Sequence, residues 1–295
     1  MSAVRIVERF VRPAPLGVMF WDLATAGAVR EDLRVTVYPV GRPEARRHLF
    51  ANHSGVWVAA RLPGLGIAEF DASASPPSQR AYTIEVEDNS KRFLPLAFDA
   101  MLPVDDLYGW PGWAALPAAP LAPLFDVLSP SDGVPARIPL FSAPARAAPG
   151  PAAAIHCQIM DLATERYSAW ALLTASYAGR VCGIGMADGE GRATLIFAYP
   201  DRPRPALATS PPAVTDFRWP IDIAVFSAPV AVSPSGFPIM ASLFAQLHHP
   251  RPVLASTLSP PELLPSQLLG VGRPLTLRTS KTPDGPSSSL FLGPA

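Results

Sequence analysis

The chain has 295 residues, with 24 basic against 24 acidic side chains and no net charge at neutral pH. That balance lacks the positive field of a general nucleic-acid binder, and a 49% hydrophobic composition excludes wholesale disorder. Proline stands at 37 positions, which excludes long helical bundles, because proline breaks helix interiors and central strands.

In chain order, Met1 to Trp21 carries Arg5, Glu8, Arg9 and Arg12 without an uninterrupted apolar stretch, so it does not read as a secretory signal. Gly17 to Leu23 is apolar and β-prone, with a breaker at Thr25-Ala26-Gly27. Leu33 to Pro39 alternates, with Leu33, Val35 and Val37 facing inward. Val56 to Ala60 follows the Ser54-Gly55 turn and stops at Leu62-Pro63-Gly64. Tyr82 to Asp88 sends Tyr82, Ile84 and Val86 one way and Thr83, Glu85 and Glu87 the other, and Phe93 to Phe98 closes the region. Residues 1–101 thus read as an antiparallel sandwich.

Between Leu102 and Pro151 prolines recur among alanines, together with Trp110, Trp113, Leu124, Phe125 and Phe141. Residues 102–151 are expected to form an ordered Pro/Ala-rich connector lying against the domains. Residues 152–295 return to strands, at Ala154 to Asp161, Ala169 to Tyr177, Arg180 to Ala187, Arg192 to Pro200 and Phe217 to Val225. Asp188-Gly189 between two of these strands predicts a hairpin. Pro238 to His248 is the one credible helix, with Ile239, Leu243 and Leu247 on one stripe. Leu275 to Arg278 and Ser289 to Leu292 offer two last strands. The fold expected is all-β: two Ig/transthyretin-like sandwiches, a Pro-rich joint and one short helix near 238–248. Asp22-Leu23-Ala24-Thr25 and Asp161-Leu162-Ala163-Thr164 each end the first strand of their region, which suggests a duplicated sandwich. The longest membrane candidate, Ile221 to Val232, is short and broken by Asp222 and Pro229, so no transmembrane helix is expected.

The motifs that carry chemistry are weak. Gly183, Gly185, Gly189 and Gly191 miss a dinucleotide fingerprint, because Asp188 stands where glycine is needed and β-prone residues follow. Asp188 and Glu190 fall short of a calcium ligand set. His156 and Cys157 are adjacent and point to opposite faces of a strand, Cys182 is alone, and His248-His249 ends a helix, so no zinc site is expected. Cys157 and Cys182 are expected as free thiols rather than a disulfide. No Gly-x-Ser-x-Gly elbow surrounds Ser54, Ser142 or Ser176. Asp105-Asp106 reads as a solvated loop pair. A spatially assembled hydrolase would need a Ser or Cys within reach of His48, His53 or His156. The expectation is therefore no catalytic residue, no cofactor and no metal. Trp57 and Trp170 are placed in strands as core, whereas Tyr108, Trp110 and Trp113 form the candidate partner surface, with glycan binding as the alternative use.

The run Ser54 to Gly64 and the turn Ala187 to Leu195, with its Asp-x-x-Gly-Arg pattern, resemble carboxypeptidase-regulatory and transthyretin-like sandwiches. The longer order of Gly55 to Leu65, Tyr82 to Asp88, Arg92-Phe93-Leu94-Pro95, Leu102-Pro103, a Pro-rich joint and a second sandwich is similar to proteins of phage tail-like contractile injection clusters. That resemblance implies a structural component near the baseplate, assembled in the cytoplasm with the other particle subunits. It carries over no catalytic residue, while the charge balance and the lack of a long apolar run are what leave no expectation of a nucleic-acid partner or of membrane insertion.

Overall fold

The computed structural model describes residues 16–59, 61–65, 80–102, 137–201 and 217–294. The first region contributes β1 (Leu16–Asp22), β2 (Gly27–Val29), β3 (Leu33–Pro39), β4 (Arg47–His48) and β5 (Phe50–Ala51). It continues with β6 (Trp57–Ala59), β7 (Arg80–Asp88), β8 (Leu96–Leu102) and β9 (Arg137–Leu140). One sheet runs β2-β1-β6-β5 with β9 on β1, and the other runs β4-β3-β7-β8. The alternation read in Leu33–Pro39 and Arg80–Asp88 places Leu33, Val35, Val37, Tyr82, Ile84 and Val86 in the core between them. Phe20 meets Trp57 edge-on there, at 6.4 Å between ring centroids.

The second region contributes β10 (Ala152–Asp161), β11 (Arg166–Tyr167), β12 (Leu172–Tyr177), β13 (Arg180–Met186), β14 (Arg192–Ala198) and β15 (Arg218–Phe226). After it come the helix α1 (Met240–Ala245), continued by a 3₁₀ turn Gln246–His248, and the short strands β16 (Pro250–Arg251), β17 (Val253–Ser256) and β18 (Glu262–Leu263). The strands β19 (Gln267–Gly270), β20 (Leu275–Thr276) and β21 (Leu290–Leu292) complete it. One sheet is β13-β12-β15-β16 with β19 on β15; the other is β11-β10-β21-β17-β18 with β14 and β20 on β10. Among the described residues the fold is all-β and sandwich-like with one short α-helix.

The repeat is structural as well as textual. In β1, Leu16 to Val18 pair antiparallel with β6, and Met19 to Asp22 pair parallel with β9. In β10, Ala152 to Gln158 pair antiparallel with β14, and Ile159 to Asp161 pair parallel with β21. Each opening strand thus exchanges one neighbour for another midway. Each then turns through Asp-Leu-Ala-Thr into a short antiparallel strand, β2 or β11. Asp22 accepts the Ala24 amide at 2.9 Å, and Asp161 accepts the Ala163 amide at 2.8 Å. The fifth turn residue is left-handed in both, Ala26 at φ 50° and Glu165 at φ 53°. The two turns are one device built twice.

Three places depart from the sequence expectation. Arg137–Leu140, within the stretch read as connector, is a strand of the first sandwich, and Ile138 and Leu140 are fully buried in its core. The Asp188-Gly189 turn does not close a hairpin, because β13 and β14 belong to different sheets and meet side by side only at Ala187 and Ala193. Gly183 and Gly185 explain the difference. A Cβ at Gly183 would lie 2.8 Å from the Phe197 ring, and one at Gly185 would lie 2.9 Å from Leu195, so bare backbone lets β14 stack across β13. Trp170 is a turn residue with φ 62° just ahead of β12 rather than a strand residue, although it packs against the core as expected.

The two sandwiches share apolar packing. The core of the first includes Leu172, Ile184 and Met186 from the far side of the β12-β13 sheet, and Met240, Leu243 and Phe244 from α1. The inward residues of the second, among them Ile155, Ile159, Leu173, Leu195, Val225 and Leu290, form a separate cluster. The stripe expected on the helix carries Leu243 and Leu247 into the shared core, and the Phe244 ring meets Phe141 at a tilt, 6.2 Å between centroids.

Candidate functional site

A buried polar cluster lies where the sandwiches meet. Glu85 is on the face of β7 opposite the core, the face that the alternation leaves for solvent, yet it is only 2% exposed. Its cover is the turn Ser233 to Phe237, part of the strap that links β15 to α1. Two donors reach Glu85 from the first sandwich, the Tyr38 hydroxyl at 2.9 Å and the Arg46 guanidinium at 2.8 Å. Two more come from the strap, Ser233 Oγ at 2.6 Å and Ser235 Oγ at 2.9 Å. Arg46 also donates to Ser235 Oγ at 2.8 Å and lies over the Tyr38 ring. Burial, and then the neighbouring Glu85 carboxylate, push the Tyr38 hydroxyl up to about 12.

Beside this cluster opens a cavity of roughly 260 Å³ lined by Arg34, Thr36, Arg46, His48, Glu85, Glu87, Ser235 and Phe237. Its charges are committed. Glu87 takes both Arg34 and Lys91, and Glu85 takes Arg46. A carboxylate already accepting four donors is a fastening rather than a poised general base.

A second cavity lies at the end of the first sandwich, lined by Asp22, Thr25, Gly27, Arg30, Arg92, Phe93 and Arg146 among others. Arg146 grips Asp22 with both terminal nitrogens, at 2.9 and 2.6 Å. Burial opposes the Asp22 charge, but hydrogen bonds from Arg146, Thr25 and the Ala24 amide outweigh it and hold the carboxyl below its ordinary range. Asp88 is treated alike: burial is overcome by the side chain and amide of Arg92. The Asp88–Arg92 turn has Lys91 at φ 56°, and the Asp188–Arg192 turn has Gly191 at φ 72°, so one five-residue turn recurs in both sandwiches.

The residues singled out from sequence are distributed as follows. Tyr108, Trp110 and Trp113 lie outside the described residues, as does Asp105-Asp106. Trp57 is core, at 6% exposure. Cys157 and Cys182 are free thiols, and burial pushes the Cys157 thiol up to about 12. His53 is exposed, and His48 borders the first cavity. His156 Nδ1 lies 2.9 Å from Thr194 Oγ1, but that hydroxyl donates to the Pro144 carbonyl at 3.0 Å. The threonine proton is therefore directed at backbone and the histidine is left as the donor, the reverse of an activated nucleophile. Asp188 accepts the Glu190 and Arg192 amides, so it serves its turn. Among the described residues, no three His, Cys, Asp or Glu side chains cluster as a metal site.

Sequence reasoning did not single out Glu85, Ser233, Ser235 or Arg46. The only local signal is the Ser233-Pro234-Ser235-Gly236 turn, which presents two hydroxyls on one tight bend.

No family model matches the chain, and no curated protein matches it. Among solved structures it is similar to the Bacillus anthracis TIE protein, at 7% identity with a TM-score of 0.24 over 95% of this chain. This chain spans 34% of that protein's length. It is also similar to the shaft pilin SpaA from Lactobacillus rhamnosus GG, at 8% identity with a TM-score of 0.21, over 95% of this chain and 98% of the pilin.

Proposed function

We propose that this chain is a non-catalytic docking module, a structural subunit of a phage tail-like contractile injection particle near its baseplate. In this reading it assembles in the cytoplasm and binds other particle subunits through surfaces and strand edges, with no cofactor. One observation carries the non-catalytic part: the buried carboxylates Glu85, Asp22 and Asp88 are all saturated by donors that fasten turns or join the sandwiches. Shared apolar packing suits a scaffold, since a subunit whose two halves pack together transmits position to its neighbours. The resemblance in motif order to injection-cluster proteins supports the choice of particle.

The test is co-expression with sheath, tube and baseplate proteins of such a cluster, followed by affinity purification of this chain. Stoichiometric recovery of particle subunits, and loss or truncation of particles when its gene is deleted, is the expected result. Recovery of this chain only as a free monomer, with intact particles in its absence, overturns the assignment.

A further inference from the structure

The strap between β15 and α1 is fastened in two chemically different ways. Its root is apolar: Met240, Leu243 and Phe244 are at most 1% exposed in the shared core. Gln246 Nε2 adds a bond to the Trp170 carbonyl at 2.9 Å. Its tip is polar. Ser233 and Ser235 bind Glu85, and Arg46 of the first sandwich binds Ser235. The tip is also closed on itself. Ser233 donates its amide to the Phe237 carbonyl at 2.8 Å, Gly236 donates to Ser233 at 2.8 Å with φ 80°, and Val232 bridges Pro238. It can therefore move as a unit without unravelling. Val232 is exposed, and between it and the buried Pro238 the tip holds the first sandwich through the two serine hydroxyls.

We infer that Val232 to Pro238 is a latch, held by the Glu85 charge, that opens over the outer face of β3 and β7 while the helix stays seated. All four groups on Glu85 donate, so the socket fits a carboxylate acceptor. The charged and titratable groups around it, all from the first sandwich, are Arg46 and, lining the cavity, Arg34, Glu87 and His48; Glu87 holds Arg34 and, beyond the cavity, Lys91. Opening uncovers Thr36, Tyr38 and Glu85, which turns a closed joint into a conditional polar surface. This goes beyond the docking role, because it makes one face of the first sandwich available only in one state.

Hydrogen exchange on the full chain separates the two fastenings. The Ala97 amide, which donates to the Pro238 carbonyl at 2.9 Å, reports the latch, and the Leu243 amide, which donates to Ile239, reports the helix. Glu85→Gln removes the charge at constant shape. Ser233→Ala combined with Ser235→Ala removes the latch's hydroxyls and leaves the first sandwich's core untouched, should the Glu85 variant fail to fold. In either variant the Ala97 amide is expected to exchange at least about tenfold faster, as the weakening of even one bond to a charged group implies, with the Ser233 and Gly236 amides inside the tip and the Leu243 amide in the helix unchanged. Equal acceleration at Leu243, or no acceleration in the double-serine variant, overturns the latch.

Discussion

The two sandwiches solve one problem with one turn and two different clamps. In the first, Asp22 is gripped bidentately by Arg146, which follows the closing strand β9. In the second, Asp161 takes a single bond at 2.9 Å from Arg251, which precedes the closing strand β21. Arg251 divides its guanidinium between Asp161 and the Gly293 carbonyl. Burial opposes the Asp161 charge, and the Arg251 bond with the Thr164 and Ala163 amides again holds the carboxyl low. The aspartate turn is thus a local code, but its counter-charge is tertiary. A duplicated module can keep the first and rebuild the second.

Breaking the joint should hurt most, and on the side opposite its sequence. Phe244→Ala deletes a ring that the second region lends to the first core, and should cost about 3–5 kcal/mol in urea unfolding. The loss should register first in exchange of β7 and β8 amides rather than in β10 and β14. Asp22→Ala leaves Arg146 buried without its partner and should cost about 3–5 kcal/mol. Asp161→Ala should cost less, about 1–3 kcal/mol, because Arg251 retains Gly293. Equal losses would mean that the two clamps are energetically the same.

Gly191→Ala combines a left-handed backbone with a Cβ only 2.6 Å from the Ile159 carbonyl, and should cost about 1–3 kcal/mol. It should loosen the second sandwich alone. The acid limb gives a smaller, shared effect. Asp22, Asp88 and Asp161 are all lowered from an ordinary 3.8, so their stabilisation is complete above that pH and is lost as pH falls through the lower folded values. Thermal melts should therefore be flat from about pH 5 upward for these groups and fall below about pH 4. Asp22→Asn should flatten part of that fall. The smallest change is a gain: Glu165→Gly relieves a left-handed non-glycine residue and should raise stability by about 0.5–1 kcal/mol in the same unfolding assay.

Much of the fold was legible because side-chain alternation is a local signal. Leu33–Pro39 and the Tyr82 to Asp88 run show it, and the repeated Asp-Leu-Ala-Thr marked the same turn in both halves. The arch between β13 and β14 was not legible from its turn, since Asp188-Gly189 suits a hairpin equally well. What decided it was Phe197 and Leu195 seeking the bare backbone at Gly183 and Gly185 across the sandwich. The site was hidden for a stronger reason. Glu85 sits in a strand whose pattern assigns it to solvent, and Ser233 that covers it is 148 residues away. No window along the chain contains both halves of that contact. Arg137–Leu140 was masked differently, as a short closing strand inside proline-rich sequence.

The order of these parts along the chain has a consequence for biosynthesis. The first sandwich receives its closing strand β9 at Arg137–Leu140, so its sheets can pair while the ribosome is still translating the second. Phe141 must then wait, its aromatic partner Phe244 still unmade, and the opening strand β10 waits longer still for Leu290–Leu292. During that interval the nascent protein presents an unfilled apolar seam, which is where a holding chaperone would find its grip.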